Sequence, residues 1–233
     1  MGLTFDNPLG LAAGVDRTGA HLPDLRLHGF GHIEVGTITP ETEHVLASGR
    51  TASHVRVGAN IASAHPGLND RVIEDYTSML KRVFAHCDYA VANLSAPGLG
   101  RDGNTPGVDV LARRLSVTRD VLSAVGGRRM PLLLKLEAGP SCTSFPAAIM
   151  AARSSGLDGV VLVSDCLQRL RAICGYLNGL VVISVGGVNS AHDVRARLAA
   201  GAALVQIHGA FARGGAARVR SILNDIGESK SRA

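Results

Sequence analysis

The chain has 233 residues, 46% hydrophobic and 3% aromatic with no Trp. One large core of Val, Leu, Ile and Ala is therefore expected, which suits parallel strands buried on both faces. The formal net charge of +5 comes from basic residues scattered over predicted helix faces, with little aromatic interleaving, and this argues against a nucleic-acid partner.

Eight short apolar runs recur along the chain. They are Leu9–Ala13, His32–Thr37, Val55–Ile61, Tyr89–Ser95, Pro131–Leu136, Gly159–Ser164, Leu180–Val185 and Ala203–His208. They are near-continuously apolar rather than alternating, as buried parallel strands are. Helical patterns lie between most of them, over about 19–28, 69–87, 107–125, 143–155, 166–177, 190–200 and 213–226. The clearest is 69–87, where Val72, Ile73, Tyr76, Met79, Leu80, Val83 and Phe84 make one stripe at a 3.6-residue period. Lys81 and Arg82 sit near its C-terminus, where cations suit the helix dipole. Ser190 is placed to cap the helix that begins at Ala191.

Strand–helix alternation repeated eight times predicts a closed parallel (β/α)8 barrel, a single domain over 1–233. The link Pro40–His54 is short and polar for a crossover helix, so the helix after the second strand is expected to be shortened or missing. The tail Gly227–Ala233 is expected to fray.

Four cysteines, Cys87, Cys142, Cys166 and Cys174, form no CxxC pair and no metal-ligand spacing. Free thiols and no metal site are expected. With no signal peptide and no apolar run long enough to span a bilayer, a cytoplasmic protein without a transmembrane segment is expected.

A barrel of this kind builds its site at the C-terminal strand ends. These offer Ala13, Gly14 and Arg17, then Thr37, Asn60, Asn93 and Ser95, then Lys135, Ser164, Gly186 with Gly187, and His208 with Gly209. Lys135 interrupts the apolar strand Leu132–Leu136. A cation there needs a carboxylate partner or an anionic ligand. Glu137 is the carboxylate nearest in sequence, and the ligand is favoured. Gly186 and Gly187 follow the seventh strand and precede a helix, where backbone N–H groups can approach a phosphate.

Several of these segments resemble the dihydroorotate dehydrogenase family. They are Asn7–Gly14 with Asp16, Glu34–Pro40, Asn93-Leu94-Ser95-Ala96-Pro97, Ser184–Val188 and Ala200–Ile207. The resemblance runs from about residue 5 to 226 and points to a shortened, divergent member similar to the quinone-linked branch, in pyrimidine biosynthesis. It implies an FMN cofactor and hydride transfer from dihydroorotate or a related ring to the flavin. By motif position, Ala13, Gly14 and Thr37 would line the flavin ring, and Asn60 and Asn93 would hydrogen-bond around ring and substrate. Lys135 would face the N1/C2 carbonyl edge. Gly186, Gly187, His208 and Gly209 would hold the phosphate, and Arg17, Asn93 and Ser164 would meet a dihydroorotate-like small molecule. A homodimer is the assembly the resemblance suggests.

The departures from the family pattern are specific. The position of the catalytic base is Ala96, and a methyl group takes no proton; Ser95 is the neighbouring candidate for that role. The family's next Asn is Gly98, its Asn after strand six is Ser164, and its Lys near the first strand is Arg17. An orotate-gripping segment after the second strand and a Gly-rich segment between Cys166 and Leu180 are missing, and the membrane-docking N-terminal helices are not found. Two further readings stay open: a catalytically inactive barrel that binds FMN or another phosphate ligand, and a non-flavin scaffold or partner protein.

Overall fold

The structure, a computed structural model, describes residues 1–42, 53–96, 99–100, 103–139 and 144–228. All eight expected strands form, each within about two residues of the expected bounds. In chain order they are β1 (Leu9–Leu11), β2 (His32–Ile38), β3 (Arg56–Ile61), β4 (Tyr89–Asn93), β5 (Leu132–Glu137), β6 (Gly159–Val163), β7 (Val181–Val185) and β8 (Leu204–Ile207). Each pairs in parallel with its sequence neighbours, and β1 pairs with β8, so the sheet closes into a barrel. Closure leaves no strand edge unpaired, which is why near-continuous apolar strands are tolerated.

Among the described residues seven α-helices connect or follow the strands: α1 (Leu22–Arg26), α2 (Asp70–Val83), α3 (Val108–Gly126), α4 (Ala147–Ser154), α5 (Leu167–Tyr176), α6 (Ala191–Ala199) and α7 (Gly209–Glu228). The expected stripe on α2 is realised, with Val72, Tyr76, Met79, Leu80 and Val83 all buried. Asn69 caps that helix by accepting from the Val72 N–H at 3.1 Å. Ser190 caps α6 as expected, with Asp193 reciprocating in a full capping box. Helix α7 starts four residues before the expected 213, and its backbone is non-helical at Gly215. A short first segment therefore follows β8 directly. Between β2 and β3 the described residues hold only a 3₁₀ turn, Pro40–Thr42. The rest of the link expected to lack a helix lies at 43–52, outside the described residues, as do Cys142 and the tail from 229. Among the described residues Cys87, Cys166 and Cys174 form no disulfide.

Two apolar layers hold the fold. One lies between barrel and helices, with Leu9, Leu11, Ile33, Tyr76, Leu134 and Ile173 among its members. The other fills the barrel interior, with Tyr89, Val91, Leu133, Val161 and Ile183, against which Met1, Leu3 and Phe5 pack. Bulky rings inside the barrel face glycines. A Cβ on Gly10 would sit 2.1 Å from His32 Nε2, and one on Gly58 would sit 2.3 Å from Tyr89 Cζ. Only Gly leaves room for these rings at close-packed density.

The basic residues are not all scattered on solvated faces. Arg119 on α3, Arg169 on α5 and Arg197 on α6 are buried. Arg169 Nε donates to the Ala138 carbonyl at 3.1 Å, and Arg119 Nη1 pairs with Asp158 at 3.0 Å. These arginines pin loops to the barrel, because a buried guanidinium must spend its donors on carbonyls or carboxylates.

Candidate active site

The polar groups at the strand ends form a directed hydrogen-bond chain along the inner wall. Asn93 Nδ2 donates to Thr37 Oγ1 at 3.2 Å. Thr37 Oγ1 donates to Asn60 Oδ1 at 3.0 Å. Asn60 Nδ2 donates to Glu34 Oε2 at 3.3 Å, and Gln206 Nε2 reaches the other oxygen of Glu34 at 2.6 Å. Asn93 is held from both sides. Its Oδ1 accepts the Ser95 N–H at 3.0 Å, and its carbonyl accepts the buried Tyr76 hydroxyl at 2.7 Å. Three of the expected residues, Thr37, Asn60 and Asn93, are thus brought together by β2, β3 and β4.

Lys135 stands beside Asn93 in register on β5, on the strand face that carries Leu133 into the barrel interior. It is half-buried. Among the described residues its ammonium makes no hydrogen bond and no ion pair within 4.0 Å. Glu34, across the barrel interior, is a carboxylate that senses its charge. Burial pushes the Glu34 carboxyl above the ordinary glutamate range, and the Lys135 charge opposes that shift, helped by the Gln206 and Asn60 hydrogen bonds.

Below Glu34 in the barrel, His32 is wholly buried and neither ring nitrogen has a hydrogen-bond partner. Burial lowers its pKa to about 3, so the ring is neutral. Neither His32 nor Gln206 was expected at the site, and Glu34 was noted only as part of a motif. Their signal was available, since Glu34 and Gln206 interrupt apolar strands just as Lys135 does.

Ser95 follows Asn93. Its Oγ is buried without a hydrogen-bond partner among the described residues. Ala96 is buried beside it, and 97–98 and 101–102 lie outside the described residues.

On the opposite side, a cleft of about 470 Å³ is lined by Glu137, Ser164, Asp165, Gly186 and Gly187. Gly186 and Gly187 have φ of +112° and +65°, values at which a side chain would be strained. Their amides donate no hydrogen bond among the described residues. Arg197 lies beneath this turn, its Nη2 3.7 Å from where a Cβ on Gly187 would stand. Its Nη1 donates to the Ser184 hydroxyl at 2.7 Å and to the Ser164 carbonyl at 2.8 Å, and its Nη2 donates to the Gly186 carbonyl. One buried cation therefore ties the loops after β6 and β7 together.

His208 and Gly14 meet where β1 and β8 adjoin: a Cβ on Gly14 would lie 3.2 Å from His208 Nε2. Gly209 opens α7, with Arg213 folded over it and donating to Asn189 Oδ1 at 2.6 Å. Ala13 is half-buried on the rim. Arg17 is exposed and makes no hydrogen bond or ion pair among the described residues. It is carried on a loop that Asp16 closes by accepting the Gly19 N–H at 2.8 Å and the His21 N–H at 3.1 Å. Among the described residues no cluster of three or more His, Cys, Asp or Glu could hold a metal ion, and no helix is long and apolar enough to cross a membrane.

Comparisons with known proteins agree with this architecture. The sequence profile described as Dihydroorotate dehydrogenase matches residues 139–229. A dihydroorotate dehydrogenase (quinone) of Alkalilimnicola ehrlichii is 30% identical, covering 97% of this chain and 84% of that protein. The enzyme of the same name from Thiobacillus denitrificans is 27% identical, covering 98% and 86%. That alignment spans 292 positions against 233 residues here, so at least 59 positions of the relative have no counterpart in this chain. Among solved structures, a ligand-free DHODH from Eimeria tenella superposes with a TM-score of 0.81 at 20% identity, covering 97% of this chain and 84% of the other. The same organism's DHODH in complex with ferulenol gives 0.73 at 21% identity. Closed barrel and near full-length similarity together lead to one conclusion: the chain belongs to the dihydroorotate dehydrogenase family.

Proposed function

We propose that this barrel binds FMN at its C-terminal mouth and is an oxidoreductase of the dihydroorotate dehydrogenase type, with slow turnover of dihydroorotate itself. The observation that carries the reading is Lys135, a half-buried ammonium on the interior strand face, with no ion pair within 4.0 Å among the described residues. A cation so placed calls for an acceptor-rich or anionic ligand.

The residues present fit the cofactor. Two amides without partners at Gly186 and Gly187 sit over the buried charge of Arg197, which suits a phosphate. In this reading Gly186, Gly187, His208 and Gly209 hold the phosphate. Lys135 meets the carbonyl edge of the ring and balances negative charge there. Ala13, Gly14 and Thr37 line the ring, and Asn60 and Asn93 orient it and the substrate, with Arg17 and Ser164 at the substrate side. When bound, FMN supplies the hydride acceptor. The protein's part is to position the ring, exclude water and accept a proton, and that last task is poorly provided. Ala96 cannot take a proton, which leaves the Ser95 hydroxyl. Loss of a general base costs about 10²–10⁴ in rate.

The experiment is the absorbance spectrum of the purified protein, followed by anaerobic addition of dihydroorotate. A yellow protein bleached slowly supports the proposal. A yellow protein that is not bleached favours the second reading, a flavin-binding barrel without this reaction. Ala96 and the 59 or more missing positions are what favour that alternative. A colourless protein that fails to take up added FMN rejects both and leaves a scaffold or partner protein.

A further inference from the structure

Resting on the proposed ligand site, we infer that Glu34 is a positioning residue that sets the direction of the whole Asn60–Thr37–Asn93 chain, so that the second Asn93 N–H is turned toward the ligand beside the Lys135 ammonium. The argument is one of donor and acceptor inventory. Glu34 is wholly buried and accepts from two amide groups, Gln206 Nε2 and Asn60 Nδ2. An ionised carboxylate is the one group of its size that accepts on both oxygens without offering a proton.

With Asn60 Nδ2 turned toward Glu34, Asn60 Oδ1 faces Thr37 and must accept, so the Thr37 hydroxyl donates. Thr37 Oγ1 then accepts from Asn93 Nδ2 on one of its two lone pairs, while Asn93 Oδ1 accepts the Ser95 N–H. Asn60 is wholly buried, so what the chain offers a ligand is the second N–H of Asn93 and, beside it in register, the Lys135 ammonium. Both are donors. The ligand that satisfies such a wall presents acceptors along one edge: ring carbonyls, ring nitrogens with lone pairs, or a carboxylate. A ligand edge made of amino or hydroxyl donors is disfavoured, because each mismatched pair leaves a desolvated donor.

The groups facing Glu34 are Lys135 from β5, Tyr89 from β4 and, two residues away on the same strand face, His32. Asn60 from β3 and Gln206 from β8 do not titrate. Tyr89 stays neutral, since burial and the Glu34 charge push its hydroxyl far up. His32 is neutral above about pH 3.

The test is side-chain NMR of the full chain, first without ligand. In a pH titration of wild-type protein, the Glu34 carboxyl carbon and the side-chain amides of Asn60 and Asn93 should move with one common midpoint above the ordinary glutamate range. Asn93 does not touch Glu34, so its response reports the chain. In Glu34→Gln, which keeps the shape but brings a donor, the Asn60 and Asn93 amide signals should both shift. The affinity for FMN should then fall by about tenfold or more, as expected when one buried donor loses its partner. Movement of Gln206 and Asn60 with Asn93 unmoved, in the titration or the variant, would overturn the inference. The titration needs no mutant, so it decides even if Glu34→Gln fails to fold. If wild-type protein takes up no FMN while Asn93 follows Glu34, the flavin reading fails and the polarity of the wall stands.

Discussion

Replacing Arg197 by Ala tests whether one buried cation holds the two loops that line the cleft. Arg197 is 4% exposed and burial lowers its pKa, opposed by the charges of Asp193 and Asp165; an arginine so placed still keeps its proton. Its loss removes three hydrogen bonds from a charged donor, each worth about 1.5–3 kcal/mol. They do not sum. The Ser164 and Gly186 carbonyls border the cleft and can turn to water, whereas Ser184 is wholly buried and is left with an unpaired hydroxyl. A cost of about 3–4 kcal/mol is expected, in the range reserved for broken buried networks. For a domain of this size that corresponds to a fall in Tm of about 10 °C. Thermal unfolding followed by circular dichroism measures it. Arg197→Lys should recover less than half, because a single ammonium lacks the fork that reaches three acceptors. A fall of less than about 2 °C for the Ala variant, on the same scaling, would refute the view that this residue ties the loops together.

Four further outcomes are expected. Lys135→Ala should raise the dissociation constant for FMN about 10- to 100-fold, as loss of a charged partner does, while shifting apo-protein stability by about 1 kcal/mol or less. Unfolding with no flavin-dependent difference would count against the assigned role. His32 is neutral in the fold, with a pKa of about 3, but takes a proton near pH 6.5 when unfolded. Its contribution is therefore complete above that value and is lost as pH falls toward 3, at up to about 1.4 kcal/mol per pH unit. His32→Phe should flatten the Tm profile between pH 4 and 7, and an unchanged slope would contradict the assignment. Gly10→Ala places a methyl 2.1 Å from His32 Nε2 and should cost about 1–3 kcal/mol of overpacking, read from urea midpoints. Ala96→Ser should restore little dihydroorotate oxidation in a steady-state assay, since at least 59 positions of a relative also have no counterpart in this chain; a large recovery would show that the missing hydroxyl was the whole defect.

Much of the site could be read before the chain was folded. Lys135 stood out because a cation broke the apolar run Leu132–Leu136. Thr37, Asn60 and Asn93 stood out because they end apolar strands, and the fold places all of them on one wall. Glu34 and Gln206 carry the same mark but lie mid-strand, away from the strand ends where such barrels build their sites. Arg197 looked like any helix arginine, since nothing local to α6 tells a solvated guanidinium from one that points inward under a neighbouring loop. His32 read as the first residue of a strand rather than as a ring needing a glycine opposite.

The amino-acid sequence alone determined the strands, the alternation with helices and the parallel sense, because those follow from apolar periodicity and turn residues within a few positions of each other. It also determined the family, through motifs in a fixed order. Only the tertiary structure decided which polar residues face one another. Glu34 and Lys135 belong to strands separated by more than ninety residues of chain, and their encounter depends on closure and stagger of the whole barrel. The hydrogen-bonded wall around Glu34 and the buried arginine beneath the glycine turn exist for the same reason: both require side chains from several strands or helices to converge on one low-dielectric spot, where an unmatched charge is not tolerated.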